Sequence, residues 1–303
     1  MVSWQATTTN LLGRLTIKQV LRREVSIRRL RAQIGGIERL FARRAPGFEF
    51  ANDHPLPDCD AEWVTARDAR TDRVMLHFPG GAYVARMPNM ERSMLVRLCA
   101  AANTRGRLVF YRIAPEHPFP AGHEDGVAAY RQLLELGHQP RDIVLSGVSA
   151  GGGMALAVLL ALRDRGLPMP AGAVLMSPLT DLLDTHDGSR RSNAPHDPVL
   201  SHRRGADMRT MYVGGATDRL ADPYVSPVYG DYAGLPPLYF QVGSTEILLD
   251  DTLRCAERAR TAGTGAEVEI WKGMPHGWQG LPFIPESARA IERIGDFVRE
   301  RCP

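Results

Sequence analysis

Cysteine is scarce in this chain. Only Cys59, Cys99, Cys255 and Cys302 occur in 303 residues, scattered and without a C-x-x-C pair. That spacing indicates neither a zinc site nor a disulfide framework, and free thiols in a reducing cytosol are expected. A surplus of one charge is also lacking. The 37 basic and 34 acidic residues leave a net charge of +3, too balanced to point to nucleic acid or a membrane surface as a partner. Long apolar runs are missing as well. No segment reaches the roughly 18 apolar residues of a membrane span. Met1 to Leu12 holds only two adjacent leucines and no continuous apolar core of a signal peptide. The expectation is a cytoplasmic protein with no stable membrane association. Internal repeats and low-complexity tracts are absent from the sequence.

What is present suits one large core, since 44% of the residues are hydrophobic. Residues 1–45 are helical in pattern. Ile27, Leu30, Ile34, Ile37, Leu40 and Phe41 recur at steps of three and four, with Ser26 as the expected N-cap. Arg22, Arg23, Arg28, Arg29 and Arg31 between them read as a solvated helix face. Pro46-Gly47 ends this region, and residues 48–60 have the composition of a loop. Trp63-Val64 opens the first predicted strand. Further strands are predicted at Val74–Phe78, Arg107–Tyr111, Ile143–Ser146, Ala173–Met176, Leu238–Val242 and Glu267–Trp271. Helical patterns alternate with them at Met87–Leu98, Glu124–Leu136, Ala150–Arg165, Ala256–Thr261 and Glu286–Arg301. That alternation predicts an α/β fold, with a mostly parallel central sheet covered by helices on both faces. Residues 185–229 break the pattern and read as an insertion over the sheet. His186, His196 and His202 are dispersed there among basic residues, without the convergent spacing of a metal site. His117, set among Pro115, Pro118 and Pro120, reads as part of a rigid turn.

The chemistry gathers where strands end. Ile143 to Ala157 runs from a β-branched strand through Gly147-Val148-Ser149-Ala150-Gly151 into an Ala/Leu-rich helix. This is the context of a nucleophile elbow, in which a sharp turn lifts the serine above the sheet edge. Nothing bulky fits two residues before or after such a serine, and Gly147 and Gly151 meet that demand. Pro79-Gly80-Gly81-Ala82-Tyr83 follows another buried strand, and its small residues leave backbone N–H groups open to a cavity, as an oxyanion hole requires. Glu246 and His276 also lie just past predicted strands. The order serine, acid, histidine is that of α/β-hydrolases. A serine hydroxyl is a poor nucleophile at neutral pH and needs a base, which His276 would supply, with Glu246 holding the imidazole tautomer. Asp250 and Asp251 are rival acids, set deeper in the following helix. A base of this kind predicts activity rising with pH through an apparent pKa of roughly 6–7.

Taken together, Gly80-Gly81-Ala82-Tyr83, Tyr111 to Ala121, Gly147 to Gly152, Ser177 to Leu182, Gly243 to Glu246 and Met274 to Trp278 resemble the bacterial hormone-sensitive-lipase-like (family IV) esterases of the α/β-hydrolase fold. The resemblance covers the chain from about residue 60 to its end. It implies an α/β-hydrolase domain over residues 46–303 and a helical cap. The cap would be built from residues 1–45 and an insertion at about 185–225. It implies a serine carboxylesterase that acts on small to medium acyl esters through an acyl-enzyme, without metal or cofactor. By the family pattern the oxyanion donors map to the N–H groups of Gly80, Gly81 and Ala150, and Tyr83, Val148 and Trp278 are expected beside the substrate. A homodimer is compatible with the resemblance. Two departures stand out. The family loop usually reads His-Gly-Gly-Gly, whereas here Pro79 replaces the histidine and His77 stands two residues too early. Any brace from the usual histidine is therefore lost, and proline could supply one by fixing φ. Val148 occupies a position that is often Asp or Thr, which makes the site less polar. An amide or N-acetyl hydrolase on the same triad, and a non-catalytic binding protein on this scaffold, are the rival readings.

Overall fold

The computed structural model describes residues 2–22, 26–39, 47–67, 69–184 and 188–302. Three helices open the chain: α1 (Trp4–Leu15), α2 (Ile17–Arg22) and α3 (Ile27–Glu38). Ser3 caps α1, its hydroxyl accepting from the Ala6 N–H at 3.1 Å. Leu40, Phe41 and Pro46 of the predicted helical region, and Arg23 of its basic face, lie outside the described residues.

There follow β1 (Phe48–Ala51), β2 (Asp60–Ala66), β3 (Val74–Phe78), α4 (Pro88–Ala102), β4 (Arg105–Phe110) and α5 (Ala121–Glu135). Next come β5 (Ile143–Val148), α6 (Ala150–Asp164), β6 (Gly172–Met176), the single turn α7 (Ser189–Ser192) and α8 (His202–Tyr212). The chain closes with β7 (Leu238–Gly243), α9 (Leu249–Thr261), β8 (Ala266–Trp271) and α10 (Pro285–Arg301). The strands form one eight-stranded sheet in the order β1-β2-β4-β3-β5-β6-β7-β8. The pairs β1–β2 and β2–β4 are antiparallel, and every pair from β4 to β8 is parallel. One expectation fails: residues 48–51 form an edge strand. Phe48-Glu49-Phe50-Ala51 alternates half-buried and exposed positions, as an edge strand does, but the run is too short to stand out among prolines and aspartates.

Strand alternation divides the core between the two faces of the sheet. Leu76, Phe78, Ile143, Leu145, Leu175 and Phe240 pack on one face against Leu156, Leu159 and Leu160 of α6. Met75, Val144, Val174, Met176 and Tyr239 pack on the other against Leu95 and Leu98 of α4 and Ile294 and Phe297 of α10. Helix α6 is apolar around its whole circumference and buried from Ala150 to Leu162. Burying each such leucine is worth roughly 1.5–3 kcal/mol, so α6 is the rigid post behind the elbow.

The N-terminal helices dock on loops beyond the C-terminal strand ends. Asn10 Nδ2 donates to the Gly273 carbonyl at 2.8 Å, and Lys18 Nζ to the Ala194 and Asp197 carbonyls at 2.7 and 2.6 Å. Arg31 is not on a solvated face. It donates to the Val84 and Ala114 carbonyls and forks onto Glu116 at 2.7 Å. Arg28 and Arg29 are exposed, as the amphipathic pattern predicts. Among the described residues no helix is long and apolar enough to cross a membrane.

Candidate active site

Ser149 joins β5 to α6 with φ +57° and ψ −123°. A non-glycine residue held there stores about 1–3 kcal/mol of strain. The surroundings enforce it. Ser149 N–H donates to the Met176 carbonyl at 2.9 Å, and its own carbonyl accepts from Leu179 N–H at 2.9 Å and Gly153 N–H at 3.1 Å. The flanking glycines have no substitute. A Cβ on Gly147 would stand 2.2 Å from the Gly151 carbonyl oxygen, and one on Gly151 would stand 1.9 Å from that of Phe78. Close approach of β3, β5 and α6 thus requires the spacing read from the sequence.

Glu246 and His276 come together. Glu246 is fully buried, and its Oε2 lies 2.7 Å from His276 Nδ1. Its other oxygen accepts from Ser177 Oγ–H at 2.7 Å and Gly243 N–H at 2.5 Å. Nδ1 facing a carboxylate assigns the ring proton to that nitrogen and leaves Nε2 with its lone pair. Burial works to lower the His276 pKa, but the hydrogen bond and charge of Glu246, with the charge of Asp197, outweigh it and raise the pKa above the ordinary histidine value. Among the described residues no hydrogen bond joins Ser149 to the ring, though their loops abut. A Cβ on Gly277 would lie 3.9 Å from Val148 Cγ2. Hydrogen bonds of this kind are often long in enzymes without substrate. The rival acids are engaged elsewhere. Asp250 accepts from Ser189 N–H at 2.6 Å, and Asp251 is paired with Arg190 at 2.8 Å.

The oxyanion expectation needs one correction. Gly80 N–H points away from the cleft and donates to Glu91 Oε1 at 2.8 Å, so it cannot serve a substrate oxygen. The next residues take left-handed backbone angles, with φ +122° at Gly81, +53° at Ala82 and +62° at Tyr83. Among the described residues the N–H groups of Gly81 and Ala82 donate to no protein acceptor. Ala150 N–H opens α6, where no residue four positions earlier can accept it within the helix.

Two of the three predicted substrate neighbours are also corrected. Trp278 is 0% exposed and packs with Ala6, Met274, Ile284 and Ala290 beneath α1. Tyr83 is 3% exposed and stacks on Tyr212 of α8 with ring centroids 4.0 Å apart. Both side chains supply core area and not an open wall. Val148 does lie between the loops of interest, close to both Gly80 and Gly277.

Residues 188–200 supply partners that sequence reasoning missed. Asn193 Nδ2 donates to the Ser244 and Glu246 carbonyls at 3.2 and 2.9 Å. Asp197 Oδ2 accepts from Ile247 N–H at 2.9 Å, and Ser189 Oγ donates to the Ile247 carbonyl at 2.9 Å. This segment clamps the turn that carries Glu246. Ser177, the donor to Glu246, was visible only as part of a motif. Among the histidines considered for metal, His196 is exposed, His202 lies 2.9 Å from Asp184, and His186 is outside the described residues. His117 is exposed in its turn, its N–H bonded to the Ile113 carbonyl.

Residues 75–280 match a family described by the α/β-hydrolase fold. The chain is 44% identical over 246 residues to an acetyl-hydrolase of Streptomyces hygroscopicus, covering 80% of each. It is 36% identical over 233 residues to an esterase of Acinetobacter venetianus, covering 76% of each. Among solved structures, an esterase from the bacterial hormone-sensitive lipase family superposes with a TM-score of 0.92 at 37% identity, over 100% of both chains. EstE5, in crystals soaked with p-nitrophenyl butyrate, gives a TM-score of 0.92 at 37% identity over 99% of both.

Proposed function

Because the chain belongs to the α/β-hydrolase family, among the bacterial hormone-sensitive-lipase-like esterases, and is a carboxylic-ester hydrolase, we propose that it works through an acyl-enzyme on Ser149. His276 takes the serine proton as Oγ attacks the ester carbonyl. The tetrahedral oxyanion is held by the N–H groups of Gly81, Ala82 and Ala150. Collapse breaks the C–O bond, and the leaving alcohol receives its proton from His276. Water then attacks the acyl-enzyme with His276 as base, releasing the acid and restoring Ser149. Glu246 keeps Nδ1 protonated and stabilises the imidazolium formed in each half.

The observation that carries this reading is the 2.7 Å contact between a fully buried Glu246 and His276, on the loop against the elbow. Residues 1–45 and the insertion at about 185–225 are proposed as the cap, supported by the contacts that helices α1–α3 and Asn193 make with loops at the C-terminal strand ends. Small to medium acyl groups are the proposed substrates. One relative is named an acetyl-hydrolase, and the EstE5 crystals were soaked with a butyrate ester. A cytoplasmic location is proposed on the four free cysteines, three of them buried.

The test is stopped-flow hydrolysis of p-nitrophenyl acetate, butyrate and decanoate. Expected is turnover of acetate and butyrate with a burst near one equivalent of nitrophenol, and a lower kcat/KM for decanoate. No turnover of any of the three by folded protein would overturn the reading.

A pH prediction follows from the raised His276 pKa. The base must be neutral, so kcat/KM for p-nitrophenyl butyrate should fall as the pH is lowered, with its midpoint above that of an ordinary histidine. A profile flat from pH 5 to 8 would contradict the base role of His276.

A further inference from the structure

The Pro79–Gly80 peptide group is pinned at both polar ends by buried side chains. Its carbonyl accepts from Tyr111 Oη–H at 2.8 Å, and its N–H donates to Glu91 Oε1 at 2.8 Å. Glu91 belongs to the first turn of α4 and is 0% exposed. Its other oxygen lies 3.0 Å from His77 Nε2, and His77 Nδ1 lies 2.8 Å from Ser146 Oγ. His77 and Ser146 are register partners on β3 and β5, in alternation with the residues facing α6, so both point toward α4. One proton assignment satisfies the whole chain of groups. Ser146 O–H donates to Nδ1, Nε2–H donates to Glu91 Oε2, and Gly80 N–H donates to Oε1.

Such a network is a poor device for stability alone. A buried carboxylate must have its oxygens satisfied, and apolar residues of similar volume commonly fold at least as well. What it does achieve is local. It fixes the orientation of one peptide plane immediately before the positive-φ run at Gly81, Ala82 and Tyr83.

We propose that Glu91 is a positioning residue for the oxyanion loop. With Tyr111 it locks the Pro79–Gly80 peptide so that the two following N–H groups open toward Ser149. His77 holds the Glu91 rotamer from below. The brace that a loop histidine at position 79 would give is supplied here from the helix beneath. This inference rests on the acyl-enzyme reading above.

Glu91→Ala, Glu91→Gln and Tyr111→Phe separate the alternatives. The readouts are kcat and KM for p-nitrophenyl butyrate, the inhibition constant of a trifluoromethyl ketone mimic of the tetrahedral intermediate, and the pH profile. Glu91→Ala should lower kcat by about 10–100-fold with KM within about twofold, and weaken the ketone by the same factor. Glu91→Gln, whose amide oxygen still accepts from Gly80 N–H, should stay within about fivefold of the parent. Tyr111→Phe should lose about three- to tenfold in kcat and in ketone affinity together. The acid limb of the pH profile should not move, because His276 and Glu246 are untouched.

Unchanged kcat and ketone affinity in folded Glu91→Ala would overturn the proposal. Should that variant not fold, the same result in Tyr111→Phe would overturn it. Equal losses in Glu91→Gln and Glu91→Ala with a displaced acid limb would overturn it too, since they would make Glu91 a titrating participant. A parent protein that neither hydrolyses the ester nor binds the ketone would instead remove the acyl-enzyme reading on which the inference rests.

Discussion

Ser149→Ala is expected to abolish the nitrophenol burst and to lower kcat for p-nitrophenyl butyrate by about 10⁵–10⁶-fold. Alanine keeps the Cβ and removes only the nucleophilic oxygen. The elbow itself is held by main-chain bonds from Ser149 to Met176, Leu179 and Gly153, and alanine makes all of them. The fold and its melting temperature should therefore survive. Mass spectrometry gives a direct check. The parent should gain one adduct from a fluorophosphonate, and the variant none. If the variant kept more than about 1% of the activity, or still took up the adduct, Ser149 would not be the nucleophile, since removing the nucleophile of a serine hydrolase costs about 10⁶-fold.

The elbow was readable because steric demands fix residue types there. Only glycine fits 2.2 Å from a carbonyl at position 147 or 1.9 Å at position 151, so the pattern survives in the sequence as a spacing. The sheet was readable for a related reason. Fully buried strands such as Val74–Phe78 and Ile143–Val148 need short, mainly apolar runs, and these stand out even though each carries one buried polar residue, His77 and Ser146. What stayed hidden depends on side chains meeting across the fold. Gly80 looks like any loop glycine until the α4 carboxylate is seen to take its N–H. Trp278 sits beside His276 in sequence, yet its ring turns under α1 into a separate apolar cluster. Asn193, Asp197 and Ser189 lie in a stretch without periodicity because their role is to bind the main chain of another turn, and such bonds leave no repeating signature. Thus the groups tied to backbone geometry or to the serine, acid, histidine order at strand ends are legible, as Glu246 and His276 are, and supporting side chains that bind the main chain of another turn are not.

Glu246→Gln is expected to lower kcat by about 10⁴-fold while KM changes little. The magnitude follows from which way the new amide must face. Ser177 Oγ–H and Gly243 N–H both donate to Oε1, at 2.7 and 2.5 Å. Two donors require an oxygen at that site, so the amide NH₂ is driven to the Oε2 site against His276 Nδ1. An NH₂ group there can only donate. Nδ1 then becomes the acceptor, the ring proton moves to Nε2, and the nitrogen that should take the Ser149 proton already carries one. Asp250→Asn should cost no more than about fivefold, because Asp250 serves the Ser189 main chain and not the ring. Steady-state kinetics on the two purified variants, matched for circular dichroism, distinguish these cases. A loss below about tenfold in Glu246→Gln would shift the role of acid to Asp197, the other buried carboxylate whose charge acts on His276.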